Sequence, residues 1–243
     1  MRKLLNDICN CNNLKKSLDG DKSNCCYKIV NTQNKEEFQL PEPWNGDLVN
    51  APIMIIGSNP SINEDEFYPE YAWSEEAKLD FHNNRFFNKW VKDQKYVLLK
   101  DGNYATKSVA YWNKIRARVK EILPKDEIFM GQDFSLVELV RCKSKKEIGV
   151  KNAINQCLNN FFEKTLEKSN CEIIICFGKK PEKALKKFYK LEDKKYFEKI
   201  KIGGKDRVLV FIPHPCGSKP QKLELNLSFE EISKMKMILK KYL

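Results

Sequence analysis

The sequence predicts an α/β protein: a three-layer α/β/α sandwich around a central, mostly parallel sheet of four strands. Short, continuously apolar segments alternate with helical patterns along the chain, which is typical of a parallel sheet covered on both faces. Two of these segments also end in loops rich in Gly, Pro and Ser, as strands that lead into a binding site do. The strands are expected at 52–57, 136–140, 173–177 and 207–212.

The segments between the strands carry helical patterns. In the segment 108–122, for example, Val109, Trp112, Ile115 and Val119 recur at helical spacing and are predicted to face the core. Residues 1–50 are rich in cysteine and show little periodicity, so we expect a mostly irregular segment packed on a domain formed by residues 51–243. The helices are expected at 1–8, about 76–94, 108–122, 148–167, 181–189 and 228–242.

Charge and cysteine content narrow the class of protein. The 243 residues carry a net charge of +11, which favours a polyanionic partner, nucleic acid before an anionic membrane surface, although a Lys-rich solvated surface also fits. No apolar run approaches the roughly 20 residues of a membrane span, and we expect a cytoplasmic protein. Thiols stay reduced there, so the nine cysteines are expected to be free or to bind a metal or cluster.

Two loops point to one site. The loop 57–61 reads GSNPS after the first strand, and the loop 214–218 reads HPCGS after the last strand. The carboxyl ends of parallel strands meet at one edge of a sheet, where open α/β folds bind ligands. His214 is one of only two histidines in the chain. The other, His82, is expected to be a solvated residue.

These loops resemble the G-x-[DN]-P and H-P-S motifs of the uracil-DNA glycosylase superfamily, and NRFFNKW at 84–90 is similar to the N-R-F-W segment of its mismatch-specific branch. The resemblance covers roughly residues 50–243. It implies a DNA glycosylase that hydrolyses the N-glycosidic bond of a flipped-out uracil or other deaminated or modified base, in base excision repair. We expect a monomer that acts on single- or double-stranded DNA without a Schiff-base lysine.

The resemblance also implies roles for individual residues. His214 would donate a hydrogen bond to O2 of the departing base, and Asn59 would orient the attacking water, because an amide cannot act as a general base. Phe81 would stack on the flipped base, with Phe86 as a rival. The other implied contacts are Ser58 with the base and Ser61, Ser218 and Lys219 with DNA.

Glu138 departs from the family pattern. It stands where relatives with an iron–sulfur cluster have an Asn that reads the uracil edge. An ionised Glu would repel O4 of uracil and would instead match an amino group, which suggests that plain uracil is a poor substrate. A buried Glu could also act as a neutral acid, or the side chain could point to the opposite face of the strand.

A cysteine pattern adds a cofactor to this resemblance. Cys142 and Cys157 resemble the second cysteine pair of the iron–sulfur glycosylases. Cys9 and Cys11 resemble the first pair, although one residue separates Cys9 from Cys11 where the family has two. Four thiolates are the usual ligands of a 4Fe–4S cluster. The alternatives are zinc, which four thiolates also bind, and no metal at all. Cys25 and Cys26 are rival ligands from the same N-terminal segment.

Two other functions fit the same residues. The fold could keep the pocket and the basic surface while binding a base or lesion without cutting it, because Glu138 and Cys216 depart from the family pattern. A small-molecule enzyme on the same sheet is a more distant alternative, since a fold does not determine a function.

Overall fold

The computed structural model describes residues 1–87 and 89–243, and its centre is a five-stranded sheet in the order β4-β1-β5-β7-β6. Neighbouring strands are parallel except β6, which runs antiparallel to β7. This confirms the predicted α/β fold. The strands are Ile53–Gly57 (β1), Val91–Lys92 (β2), Tyr96–Val97 (β3), Phe134–Glu138 (β4), Ile173–Phe177 (β5), Tyr196–Ile202 (β6) and Lys205–Ile212 (β7).

The fifth strand is the main difference from the predicted sheet. Strand β6 reads YFEKIKI and is mostly half-buried or exposed, because it pairs only with β7 at one edge. Its lysines and glutamate interrupt the apolar residues, so β6 lacks the continuous apolar run that identifies the central strands. Gly203 and Gly204, both with positive φ, form the turn of the hairpin with β7.

Helices lie between most of the strands. The predicted helix at about 76–94 ends at Asn84, and the chain then forms the hairpin β2–β3, whose turn residues Asp93 and Gln94 have positive φ. The predicted helix at 148–167 is interrupted by a π-helical turn, Leu158–Phe162. Among the described residues, no helix is long and apolar enough to cross a membrane. The α-helices are Arg2–Cys9 (α1), Asn12–Leu18 (α2), Tyr27–Val30 (α3), Glu75–Asn84 (α4), Ala110–Lys120 (α5), Val150–Cys157 (α6), Glu163–Glu167 (α7), Lys179–Tyr189 (α8) and Phe229–Leu239 (α9).

Alternate residues of the strands belong to two hydrophobic clusters. Met54 and Ile56 of β1 pack in a cluster that includes side chains of α1, α2, α6 and α8. Ile53 and Ile55 pack in a second cluster that includes side chains of α5 and α9. The two faces of the sheet therefore have separate cores, as continuously apolar strands require. The three-layer sandwich itself stays a prediction.

Backbone pairing between β1 and β4 continues into the loops that follow them. The loop after β1 accepts successive hydrogen bonds from the loop after β4, so the two loops run side by side. This pairing holds the GSNPS loop against the chain that leads to Cys142. The bonds join Leu139 N to Gly57 O at 3.1 Å, Val140 N to Ser58 O at 3.0 Å and Ser144 N to Pro60 O at 3.1 Å.

The N-terminal segment is more ordered than predicted, because it contains the three short helices α1 to α3. Its last part, 42–46, lies along β4: Asn45 and Leu136 exchange two backbone hydrogen bonds of 2.9 Å. Gly46 then passes so close to Gly131 that a Cβ on Gly46 would stand 2.3 Å from Gly131 Cα. A separate N-terminal segment at 1–50 and a domain at 51–243 stay a prediction.

The close passage at Gly46 predicts a position-specific cost of adding a methyl group. Gly46→Ala should lower the free energy of unfolding by at least about 3 kcal/mol, because the φ of +90° is strained for Ala and the Cβ meets backbone. Gly102→Ala is the matched control, since Gly102 has a φ of +84° and open space around its Cβ. That variant should lose about 1 to 2 kcal/mol. Urea unfolding measures both; equal losses would contradict the proposed clash.

Candidate active site

A cavity of about 490 Å³ opens at the carboxyl edge of the sheet. Strands β1, β4 and β7 end beside it, as expected for a ligand site in an open α/β fold. The cavity brings together residues that are distant in the sequence, including both loops that the sequence singled out. Six of its lining residues carry the argument that follows: Ser58, Asn59, Tyr111, Glu138, Glu147 and His214.

Asn59 is held in one orientation by its amide nitrogen. Asn59 Nδ2 donates to Ser144 Oγ at 2.9 Å and to the carbonyl of Pro60 at 2.9 Å. With the nitrogen used in this way, the carbonyl Oδ1 is the atom that can accept a hydrogen bond from a water molecule. Asn59, which the sequence singled out, lines the cavity, and so do Ser58 and Ser61.

His214 stands at the mouth of the cavity with a defined hydrogen-bonding direction. The backbone N–H of Cys216 donates to His214 Nδ1 at 3.2 Å. In a neutral ring the proton is then on Nε2, which is free to donate to a ligand. Partial burial lowers the pKa of His214, although Glu147 acts in the opposite direction, so the neutral ring dominates at pH 7. Tyr111 stacks on this ring with a centroid distance of 5.6 Å.

Glu138 is a buried carboxyl group on the cavity wall. It ends β4, is 8% exposed, and its Oε2 has no hydrogen-bond partner among the described residues. Burial, together with the nearby Glu42 carboxylate, raises the pKa of Glu138 well above its ordinary value. The side chain passes over Gly57, where a Cβ would stand 2.2 Å from Glu138 Oε2. The alternative that Glu138 points away from the site is therefore wrong.

A network of buried charges forms another part of the cavity wall. Arg85 donates to Glu42 at 2.7 Å and to Glu66 at 2.5 Å, and Lys143 lies 3.4 Å from Glu66. Burial acts to raise the pKa of Glu66, but Arg85 and Lys143 outweigh it and hold that pKa below its ordinary value. Two cations and two carboxylates thus balance each other, which leaves Glu138 without a cation of its own in this network.

Several predicted residues lie elsewhere. Phe81 is 1% exposed and packs edge-on against Tyr68 in the core, so it does not line the cavity. Phe86, its rival, is 3% exposed and packs against Trp112. Ser218 and Lys219 are exposed on the loop after His214 and do not line the cavity.

His82 and the segment 84–90 also differ from what the sequence predicted. His82 is fully buried in α4 rather than solvated, and burial lowers its pKa well below the ordinary value, so the ring is neutral. In the segment 84–90, Arg85 reaches the cavity wall as part of the buried network, whereas Asn88 lies outside the described residues.

The sequence did not identify Tyr111, Trp112 or Glu147 as cavity residues. Trp112 was expected in the core; it is buried, but it also lines the cavity. Tyr111 is its neighbour in the same helix and fell outside the apolar stripe. Glu147 follows a run of lysines that looked like a solvated surface, and no local pattern distinguished it.

Five cysteines come together near the loop after β4: Cys11, Cys25, Cys26, Cys142 and Cys157. The thiol of Cys26 lies against Cys142, and this contact lowers the pKa of Cys26 to about 7. The pKa of the Cys142 thiol is raised well above its ordinary value, first by its contact with Cys26 and then by burial. Cys157 and Cys11 are close enough to contribute to the same rise. The sulfurs of Cys25 and Cys26 are 3.8 Å apart.

Cys9 is not brought into this group. Burial raises the pKa of its thiol to about 12, and its Sγ donates to the carbonyl of Pro41 at 3.9 Å. Cys26, and not Cys9, therefore lies against Cys142, whereas the metal ligands stay a prediction. Within residues 1–87 and 89–243, no group of three or more His, Cys, Asp or Glu side chains is arranged to hold a single metal ion.

The fold and the cavity define an α/β protein that presents a histidine and an asparagine to a ligand at the carboxyl edge of its sheet. A model of the uracil DNA glycosylase superfamily matches residues 43–232. This span is most of the chain, which therefore belongs to the uracil DNA glycosylase superfamily. Membership supports a glycosylase-type hydrolase that acts on DNA. No curated protein matches the chain significantly.

The buried carboxyl of Glu138 predicts how stability depends on pH. Because its pKa is higher in the folded protein than in the unfolded chain, the folded state holds the proton longer, and stability falls as pH rises above about 4.5 toward the folded pKa. Glu138→Gln removes this ionisation. It should raise the free energy of unfolding at pH 8 by about 1 to 3 kcal/mol.

The free energy of unfolding, measured by urea unfolding at several pH values between about 5 and 8, checks this effect. Glu224→Gln is the control, because Glu224 is exposed and forms an ion pair with the exposed Lys222. That change should leave the pH dependence as it is in the unsubstituted protein. A Glu138→Gln variant that keeps the same slope would contradict a raised pKa at Glu138.

Proposed function

We propose that this protein is a monofunctional DNA glycosylase that hydrolyses the N-glycosidic bond of a deaminated base flipped into the cavity. One observation carries the proposal: His214 and Asn59, from loops at opposite ends of the sequence, line the same cavity. A flipped base would enter this cavity with its sugar at the mouth. The positive charge of the chain, +11, supports a nucleic-acid substrate.

His214 would stabilise the departing base. When the bond between C1′ and the base nitrogen breaks, the electron pair goes to the base, and negative charge develops on its carbonyl oxygens. The Nε2–H of the neutral His214 ring would donate to O2 of a pyrimidine at this stage. The hydrogen bond from Cys216 and the stacked ring of Tyr111 hold the imidazole in place, so little reorganisation is needed.

Asn59 would position the attacking water. Its Nδ2 is occupied by Ser144 and Pro60, so Oδ1 can accept a hydrogen bond from a water molecule that approaches C1′. Positioning of this kind lowers the entropic part of the barrier without moving a proton. Tyr111 and Trp112 are aromatic residues of the cavity wall, and we assign to them the contact with the base ring that Phe81 cannot make.

Glu138 would read the edge of the base as a neutral acid. A neutral carboxyl group presents one donor and one acceptor, whereas a carboxylate presents acceptors alone. A donor and an acceptor side by side match the adjacent C=O and N–H of uracil and of hypoxanthine. The raised pKa of Glu138 supports this form over the ionised form that disfavours uracil. The substrate class is then a base in which deamination has replaced an amino group by a carbonyl.

We further propose that Cys11, Cys26, Cys142 and Cys157 hold a 4Fe–4S cluster. Their mutual proximity supports this set, and four thiolates are the ligands that such a cluster takes. When bound, the cluster would tie the N-terminal segment to the loop after β4 and to α6. Its role would be structural, because the four sulfurs are not among the residues that line the cavity.

The first test is excision of uracil and hypoxanthine from single- and double-stranded oligonucleotides, with alkali cleavage as the readout. The unsubstituted protein should cut both bases, and His214→Ala should lower the single-turnover rate by roughly 10²- to 10³-fold. Salt-dependent retention of DNA without cleavage would support a binding protein instead. Absence of salt-dependent DNA binding would point to a small-molecule enzyme.

Glu138→Gln tests the neutral-acid reading in the same assay. The Gln amide also offers a donor and an acceptor, so excision of uracil at pH 7 should stay within about tenfold. In the unsubstituted protein the rate should fall as pH rises through the raised pKa of Glu138, and this fall should be absent in the variant. Glu42, Arg141 and Glu147 also act on Glu138 and will affect where the fall occurs. A variant with the same high-pH loss would exclude Glu138 as its cause.

The cysteine assignment is tested by iron content and visible absorption of protein purified without oxygen. Cys26→Ser should lose the iron and the visible absorption of an iron–sulfur cluster, because it removes one of four ligands. Cys9→Ser is the matched control: Cys9 is as buried as Cys26 but faces Pro41, so the cluster should remain. The reverse result would return Cys9 to the ligand set, and protein without iron would exclude the cluster.

A further inference from the structure

A short turn at 145–147 brings a carboxylate to the cavity. Glu147 lines the same cavity as Ser58, Asn59 and His214. The turn starts from Ser144, which forms two hydrogen bonds with the GSNPS loop: its N–H donates to the carbonyl of Pro60 at 3.1 Å, and its Oγ accepts from Asn59. The start of this turn is therefore fixed relative to Asn59 and Pro60.

The backbone of this turn is held in an unfavourable conformation. Lys146 has a φ of +50° and Glu147 a φ of +57°, and neither is a glycine. Such a conformation is strained for a residue with a Cβ and persists only where the surrounding structure maintains it. On one side the turn is anchored by Lys143, whose side chain is buried; on the other, Gly149 passes the backbone nitrogen of Ile29, where a Cβ would stand at 2.8 Å. The fold thus maintains a strained turn that directs Glu147 to the cavity.

The surroundings of Glu147 keep it ionised. Partial burial acts to raise the pKa of Glu147, but the hydrogen bonds from Lys180 and Ser58 and the charge of Lys180 outweigh it and lower that pKa below the ordinary value. Lys180 of α8 forms an ion pair with the carboxylate. The Glu147 side chain is still 42% exposed, so water can reach its oxygens.

Asn59 leaves a gap in the proposed reaction. Its amide can orient water but cannot take the proton that water must lose when it bonds to C1′. His214 cannot take this proton either while its Nε2–H donates to the departing base. The cavity therefore needs an anionic group near His214 and Asn59, and Glu147 meets that description.

We propose that Glu147 is the general base of this glycosylase. The C1′–N bond breaks and its electron pair goes to the base; the water oxygen bonds to C1′, and the water proton goes to the Glu147 carboxylate, which later releases it to solvent. Before the water attacks, the negative charge also stabilises the positive charge on the sugar. This inference rests on the proposed glycosylase function.

The alternative is that Glu147 serves only to pair with Lys180. The experiment therefore compares Glu147→Gln with Lys180→Met, which removes the pairing cation but keeps the carboxylate. Single-turnover rates on a uracil-containing oligonucleotide are measured at saturating protein, and affinity for the same DNA is measured by fluorescence anisotropy.

Glu147→Gln should lower the rate by roughly 10²-fold, the usual contribution of a general base, with DNA affinity within about threefold. Lys180→Met should keep the rate within about threefold. Adding Asn59→Asp to Glu147→Gln should restore part of the rate, because a carboxylate then stands again beside the water. A merely structural Glu147 would not be rescued in this way.

An unchanged rate in Glu147→Gln would overturn this inference while leaving the proposed function intact. Equal losses in Glu147→Gln and Lys180→Met would also overturn it, because they would assign Glu147 to the ion pair. An unsubstituted protein that cuts no base would overturn the proposed function, and the role of Glu147 with it.

Discussion

Three backbone hydrogen bonds determine the geometry of the site. They continue the pairing of β1 and β4 into the loops that follow both strands. They lock the GSNPS loop to the chain between Leu139 and Ser144. Asn59, Glu138 and the turn that presents Glu147 all take their positions from this pairing. Cys142 lies in the same stretch as Lys143 and Ser144, which line the cavity, so one short piece of backbone contributes to both the cysteine group and the cavity.

The buried ion pairs beside this stretch are a second constraint. Arg85, Glu42, Glu66 and Lys143 are each less than one-tenth exposed and balance one another in charge. Removing one partner of such a set leaves an uncompensated buried charge and typically costs about 3 to 5 kcal/mol. Arg85 follows directly after α4, which ends at Asn84, where sequence periodicity alone predicted several more turns.

The parts of the fold that the sequence predicted are those governed by local pattern. The strands around Ile55, Val137, Ile175 and Val210 are continuously apolar because both faces of the sheet are covered, and each was predicted within two residues. Strand β6 was missed because an edge strand with lysines lacks this pattern.

The site divides in the same way. Asn59 and His214 stand in loops directly after apolar strands, so their convergence could be predicted from the geometry of parallel sheets. Tyr111 and Glu147 reach the cavity through tertiary packing and a strained turn, for which the sequence offers no local signal. Phe81 was misplaced because the sequence pattern of an aromatic residue on a helix is the same whether the side chain faces a core or a cavity. Cys26 could not be separated from Cys9 by spacing, because the helices α1 to α3 decide which thiols meet.

The cavity wall joins residues from near both ends of the chain, since Glu42 and His214 both line it. Contacts between residues so far apart in sequence are slow to form, because the chain entropy of closing long loops must be overcome first. Local elements such as α5 and the β6–β7 hairpin can form early, but the wall is complete only when the N-terminal segment has docked on β4. The chain can therefore gain most of its secondary structure during folding before the cavity is complete.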